Sequence, residues 1–190
     1  MKKEKKEKIN KKLSQEIREM SEVDQKWRFK LIKLNKKNNS SNINRLWKKI
    51  SHIDKRNTEK MKSIIKKYGW PTFSLVGKKS SNLAWLLVQH STHDLKFQEE
   101  CFFLLKKAVK KNDALPKNLA YLIDRIRTLK NKPQLFGTQF KTSIDGNPIP
   151  FPIYKPKEID KRRKKYGLDT FEENKKRISK MYGKNTKLNL

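Results

Sequence analysis

The chain has 190 residues, room for one ordinary domain with extensions; 34% are hydrophobic and 36% charged, so it is less apolar and more charged than most globular domains. Lys and Arg outnumber Asp and Glu by 49 to 19, a formal charge of +30, which attracts polyanions such as nucleic acid or an anionic membrane surface. Cys101 is the only cysteine, which excludes a disulfide within the chain and a cysteine-based zinc site.

Residues 1–12 are almost all Lys, Glu and Asn, too polar to bury anything, and read as a basic flexible arm; with no apolar stretch behind the lysines they do not read as a secretory signal. A single helical domain is expected over 13–182, with a flexible tail over 183–190. From Leu13, apolar residues recur at Ile17, Met20, Val23, Trp27, Leu31 and Leu34, a helical stripe. A second helix carries Ile43, Leu46, Trp47, Ile50, Ile53, Met61, Ile64 and Ile65 and stops at "YGWP". "TFSLVG" reads as an extended segment. Ser80 or Ser81 is then expected to cap one long, central helix through "NLAWLLVQHSTHDLKFQEECFFLLKKAVKK". Pro116 opens the next helix, "NLAYLIDRIRTLK".

Beyond residue 132 the character changes. "KPQLFGTQFKTSIDGNPIPFPIYKP" alternates apolar residues around a "DGN" turn, an extended or β-hairpin element near 133–153. Two short helices, "KEIDKRRKKYGL" and "TFEENKKRISKMYG", close the chain. The fold class is mainly α, with that small hairpin in the C-terminal third. "LAWLLV" is the longest apolar run, far short of the roughly 20 residues a membrane span needs, so a cytoplasmic protein without a membrane span is expected.

Candidate chemistry starts at "VQHSTHDLKFQ". On a continuous helix His90, Asp94 and Gln98 fall within about 40° of a common line. This points to His90 as general base, Asp94 as its orienting partner and Gln98 as a substrate-positioning amide; a structural His–Asp hydrogen bond between helices is the competing reading. Asp124 and Arg125 in "YLIDRI" set a charge pair in an apolar pattern, where Arg125 can fork onto an anion and Asp124 can act as acid or base. In "QLFGTQF", Gly137 allows close backbone approach, while Gln134, Thr138 and Gln139 offer uncharged donors and acceptors. His90 and Asp94, beside His93, have metal-sharing spacing, but neither HExxH nor a cysteine cluster accompanies them, so no metal is expected. The absence of a phosphate-cradling glycine loop argues against a P-loop or Rossmann nucleotide site, and no cofactor is expected. "KRRKKYG" and "KKEKKEK" allow phosphate contact without sequence readout.

Taken in order, "MSEVDQKWR", "YGWPTFSLVG", "LLVQHSTHDLKFQ", "AYLIDRI", "QLFGTQF" and "EIDKRRKKYGL" resemble a bacterial family of unknown function, DUF6624, over about residues 20–175. The resemblance implies that the family's recurrent polar positions fall on Asp24, Gln25, Arg28, His90, Asp94, Gln98, Asp124, Arg125, Gln134, Gly137, Thr138, Gln139, Arg162 and Arg163. Phe136 stands where the family more often has tyrosine. Polar groups drawn from so many segments exceed what one salt bridge needs and favour a polar pocket. The leading expectation is a hydrolase or transferase acting on a small anionic or nucleotide-like substrate, with His90, Asp94, Asp124 and Arg125 catalytic and Asp24, Gln25, Arg28, Gln98, Gln134, Thr138, Gln139 and Arg162 binding. The alternative is a non-catalytic basic module that binds nucleic acid, recognised by a steep salt dependence.

Overall fold

The computed structural model describes residues 9–35, 40–143 and 147–182. Most of the arm expected over 1–12, the tail expected over 183–190, and Asp145 with Gly146 of the "DGN" turn lie outside the described residues. Among the described residues are seven helices and one two-stranded antiparallel hairpin: α1 (Lys11–Asn35), α2 (Ser40–Tyr68), α3 (Phe73–Gln89), α4 (Leu95–Lys110), α5 (Pro116–Leu129), β1 (Phe140–Thr142), β2 (Pro148–Pro150), α6 (Ile159–Lys165) and α7 (Phe171–Tyr182). The mainly helical class and the position of the hairpin are as the sequence predicts. No described helix is long and apolar enough to cross a membrane.

The apolar stripes of α1 and α2 serve two separate clusters. Leu13, Ile17 and Met20 of α1 join Met61 and Ile64 of α2 in the main core, with Val76, Leu87 and Val88 of α3, Phe97, Cys101 and Leu105 of α4, and Leu119 and Leu122 of α5. Farther along, Leu31 of α1 meets Ile43, Leu46 and Ile50 of α2 in a smaller cluster flanked by Trp27, Leu34 and Trp47. The two helices therefore run antiparallel. Each core leucine, fully buried, contributes about 1.5 to 3 kcal/mol. Between the clusters lie the buried polar residues Ser21, Asp24, Asn57, Thr58 and Ser91; Thr58 Oγ1 donates to Ser91 Oγ at 2.8 Å, joining α2 to the segment after α3.

Three local expectations are corrected. "TFSLVG" is helical: the Thr72 hydroxyl accepts from the Leu75 amide, and Asp113 accepts from the Ser74 amide, so the first turn of α3 finds its partners. Gly77, at φ +80°, then kinks the helix. Ser80 and Ser81 are buried inside α3 and do not cap it; the Ser80 hydroxyl meets Ser14 at 2.8 Å and accepts from Arg18 Nε at 3.0 Å, tying α3 to α1. The long central helix is two helices, because α3 ends at Gln89 and Asp94 caps α4 by accepting from the Phe97 amide at 3.0 Å. Ser, Thr and Asp in "HSTHD" offer the backbone side-chain partners that compete with continuing a helix.

The C-terminal third is anchored on α5. Asp124, with no exposure, accepts the amides of Leu135, Phe136 and Thr138 and the Thr138 hydroxyl at 2.7 to 3.1 Å. Gln134 closes the same loop, its amide nitrogen donating to the carbonyls of Gln139 and Phe151 and its oxygen accepting from the Gln139 amide. β1 and β2 then pair in the register Phe140 to Pro150, Lys141 to Ile149 and Thr142 to Pro148. Arg163, fully buried, donates to the carbonyls of Phe136 and Asp169 and to the Asp169 carboxylate, fixing α6 against the loop. Gly137 has φ +64°, and a β-carbon there would come within 2.5 Å of the Phe171 ring and 2.9 Å of Ile159. We expect Gly137→Ala to lower unfolding stability by about 1 to 3 kcal/mol, measured in urea, because strain and overpacking coincide. Asp124→Ala, which strands three buried amides, should cost about 3 kcal/mol or more in the same assay.

Candidate active site

The inward stripe of α1 is interrupted by Asp24, between Met20 and Leu31, and that of α2 by Asp54 and Asn57, between Ile50 and Met61. Both aspartates sit on inward-turned faces at the junction of the two apolar clusters. The break after α3 turns the His90 ring toward them. Asp24 is then enclosed by three donors: His90 Nδ1 at 3.1 to 3.2 Å, Arg28 Nε at 3.1 Å and Gln25 Nε2 at 2.6 Å. Arg28 also reaches Asp54 Oδ1 through a terminal nitrogen at 2.5 Å, so one guanidinium bridges two carboxylates.

Burial alone would raise Asp24, but the His90 hydrogen bond, the charges facing it and the Gln25 amide outweigh that and hold its carboxyl far below the ordinary range. Burial pushes His90 down to about 4, reinforced by the positive charge of Arg28 and, more weakly, Arg125, and opposed by the hydrogen bond to Asp24. His90 is therefore neutral at pH 7, and because ionised Asp24 only accepts, the ring proton stands on Nδ1. Nε2 has no protein partner among the described residues and is not sealed off. Burial raises Asp54 to about 6; Arg28 opposes the rise and the Asp24 charge adds to it, so two carboxylates compete for one guanidinium and Asp54 holds the more basic site.

These groups open on a cavity of about 210 Å³ lined by Arg28, Trp47, Ile50, Ser51, Asp54, Gln89, His90, Thr92, His93 and Arg125. Arg125 makes no ion pair among the described residues and its Nε is buried without a partner. Burial, then repulsion from Arg28, lowers it to about 10, so it stays cationic at neutral pH. Gln89, 4% exposed, leaves Oε1 without a donor, and the Trp47 indole N–H is likewise unpaired. The wall thus offers unpaired cationic and N–H donors, one acceptor and an open imidazole nitrogen.

Of the residues singled out by sequence, Asp24, Gln25, Arg28, His90 and Arg125 are brought together. The others stand elsewhere. Asp94 is not beside His90; it caps α4 and pairs with Lys62 at 2.8 Å. Gln98 donates to the carbonyls of Val88 and Gln89 and so holds the end of α3 that carries His90. Asp124, Gln134 and Thr138 are engaged in the loop clamp, and Gln139 donates to Thr138 Oγ1. Arg162 donates to the carbonyls of Leu135, Tyr154 and Lys155. Asp54 and Gln89 were not singled out; the signal for Asp54 is its place in the inward heptad run of Ile50, Asn57 and Met61.

Ligand atoms of Asp24, Asp54 and His90 lie within 4.8 Å of one another, a spacing that a divalent cation accepts. Arg28 already supplies positive charge between these carboxylates, and Asp24 is engaged by His90, Arg28 and Gln25. With Arg125 also in the wall, the arrangement suits an anion better than a cation. Asp94→Ala should cost about 1 kcal/mol in urea, the size of a lost helix cap, and leave the His90–Asp24 hydrogen bond in place.

Over residues 11–187 the chain matches DUF6624, a family of unknown function. No curated protein and no solved structure matches it. The matched residues take in every helix and both strands, and the protein belongs to the DUF6624 family.

Proposed function

We propose that this protein is an enzyme of general acid–base chemistry, a hydrolase or transferase acting on an anionic substrate. His90 is the base, oriented by Asp24 through Nδ1 and reacting through Nε2. Asp54 is the complementary acid, and Arg125 is the anion clamp, with Arg28 setting the charge between them. The observation that carries this reading is a neutral imidazole with one nitrogen tied to a buried carboxylate and the other open to a cavity that also holds an unpaired guanidinium. A cluster built only for packing would close its charges internally, as Asp24 and Arg28 do; Arg125 is left over. The basic surface alone, without these unpaired groups, would favour a purely binding role.

The charged and titratable groups around His90 are Asp24 and Arg28 from α1, Asp54 from α2 and Arg125 from α5, with Tyr182 of α7 beside Arg125, and His93, after α3, in the same cavity wall, its imidazole lowered chiefly by burial. As pH rises through about 4, His90 loses its proton and becomes a competent base; as pH rises through about 6, Asp54 loses the proton it must donate. The expected kcat/KM profile is a bell with limbs near those values, while in kcat the upper limb moves higher because substrate charge is then present.

The test is turnover of p-nitrophenyl phosphate, bis-p-nitrophenyl phosphate and p-nitrophenyl acetate. We expect hydrolysis of at least one, with His90→Asn lowering the rate by about 100-fold or more and Arg125→Met raising KM, both variants keeping the wild-type circular dichroism spectrum. Turnover that is the same in wild type and His90→Asn would overturn the assignment of His90.

A further inference from the structure

We propose that the substrate is single-stranded RNA, cleaved at a phosphodiester by attack of its own 2′-hydroxyl without a metal ion. This rests on the acid–base reading of the same site and names what occupies it.

Three observations converge. The first is the flank of the cavity. Between Ser40 and Thr58 the only acid in α2 is Asp54, which faces inward, while Arg45, Lys48, Lys49, Lys55 and Arg56 are all exposed. Lys48 and Lys55 lie one helical turn to either side of Ser51 in the cavity wall, about 10 Å apart along the axis. Neither makes an ion pair among the described residues, in contrast to Lys62, which pairs with Glu59 and Asp94. An unneutralised row of cations at the mouth of an anion pocket tracks an extended polyanion, not an isolated small ion.

The second is the size and charge of the cavity. At about 210 Å³ it lies below the range of pockets that enclose whole drug-sized ligands; it admits a phosphate and a pentose and leaves the rest of a strand outside, over α2. With Asp24 ionised, His90 neutral, Arg28 and Arg125 cationic and a proton on Asp54, one positive charge remains. A phosphodiester monoanion balances it.

The third is Gln89. Its buried Oε1 has no donor among the described residues, and the 2′-hydroxyl of a ribose next to the cut, not the attacking one, supplies it where deoxyribose does not.

The reaction closes without another reagent. His90 Nε2 takes the 2′-hydroxyl proton and the 2′-oxygen bonds to phosphorus. The bond from phosphorus to the 5′-oxygen breaks, and the Asp54 proton passes to that departing oxygen. The products are a 2′,3′-cyclic phosphate and a 5′-hydroxyl, with Arg125 facing the charge that builds on the phosphoryl oxygens.

The experiment uses the full chain in EDTA with an end-labelled, mixed-sequence single-stranded RNA pool and the same pool as DNA. We expect RNA to be cut to 2′,3′-cyclic phosphate and 5′-hydroxyl ends, DNA to stay intact, and folded His90→Asn to be slower by about 100-fold or more. Lys48→Ala with Lys55→Ala should flatten the slope of log KM against log salt by about 1.4, two single-strand phosphate contacts. Uncut RNA, DNA cut equally well, or 3′-hydroxyl ends would overturn the proposal. If RNA survives while a p-nitrophenyl ester is still turned over in a His90-dependent way, the RNA assignment falls and the acid–base reading stands. If neither is turned over, both fall.

Discussion

A single buried carboxylate, Asp24, holds the site together. It is 2% exposed and lies where the two apolar clusters of the α1–α2 pair part company. A carboxylate in such a place is costly unless every lone pair finds a donor, and here the donors come from its own helix, Gln25 and Arg28, and from the end of α3, His90. Apolar attraction between helices is non-directional, and hydrogen bonds add direction to it. The Asp24 contacts, with the Ser80 bonds to Ser14 and Arg18, fix the register of α1 against α3 at which the imidazole is within reach. The same bond fixes the ring's tautomer and frees its other nitrogen.

Around that anchor the charges divide into a closed part and an open part. Arg28 between Asp24 and Asp54 is closed: one cation, two acids and a proton equilibrium at Asp54 set by their competition. Arg125 is open, since no acid faces it and its Nε has no acceptor. Buried networks that serve folding satisfy the large majority of their members. An unsatisfied cation next to an open imidazole is a cost to the folded protein, and an anion is what would relieve it.

Much of the fold could be read from the sequence because it is written in helical periodicity: the stripes of α1, α2 and α5 keep the helical period along their length, and the hairpin announces itself by its prolines and alternation. The readings failed where capping, not periodicity, decides. "LAWLLV" and "FFLLKKA" look like one apolar helix, yet Asp94 and its serine and threonine neighbours end one and start another. That break undid the expected His90–Asp94 pairing, which depended on a continuous helix. The true partner of His90 is 66 residues away, and no spacing rule reaches that far. The family resemblance did mark Asp24 and Arg28, but it also marked Asp124, Gln134, Thr138 and Arg162, whose recurrence has a structural explanation in the clamp around residues 134–139. Asp54 is hidden in the sequence because an acid among the lysines of α2 looks like ordinary surface until Ile50, Asn57 and Met61 show which way that face turns.

The clamp has a consequence for the cavity it does not touch. Asp124 and Arg125 are consecutive on α5, so their side chains leave the helix about 100° apart; the first grips the amides of Leu135, Phe136 and Thr138, and the second lines the cavity. The rotation of α5 is therefore shared between the hairpin module and the cavity wall. A substitution that turns α5 about its axis would therefore disturb the hydrogen bonds to those three amides and the position of the Arg125 guanidinium together.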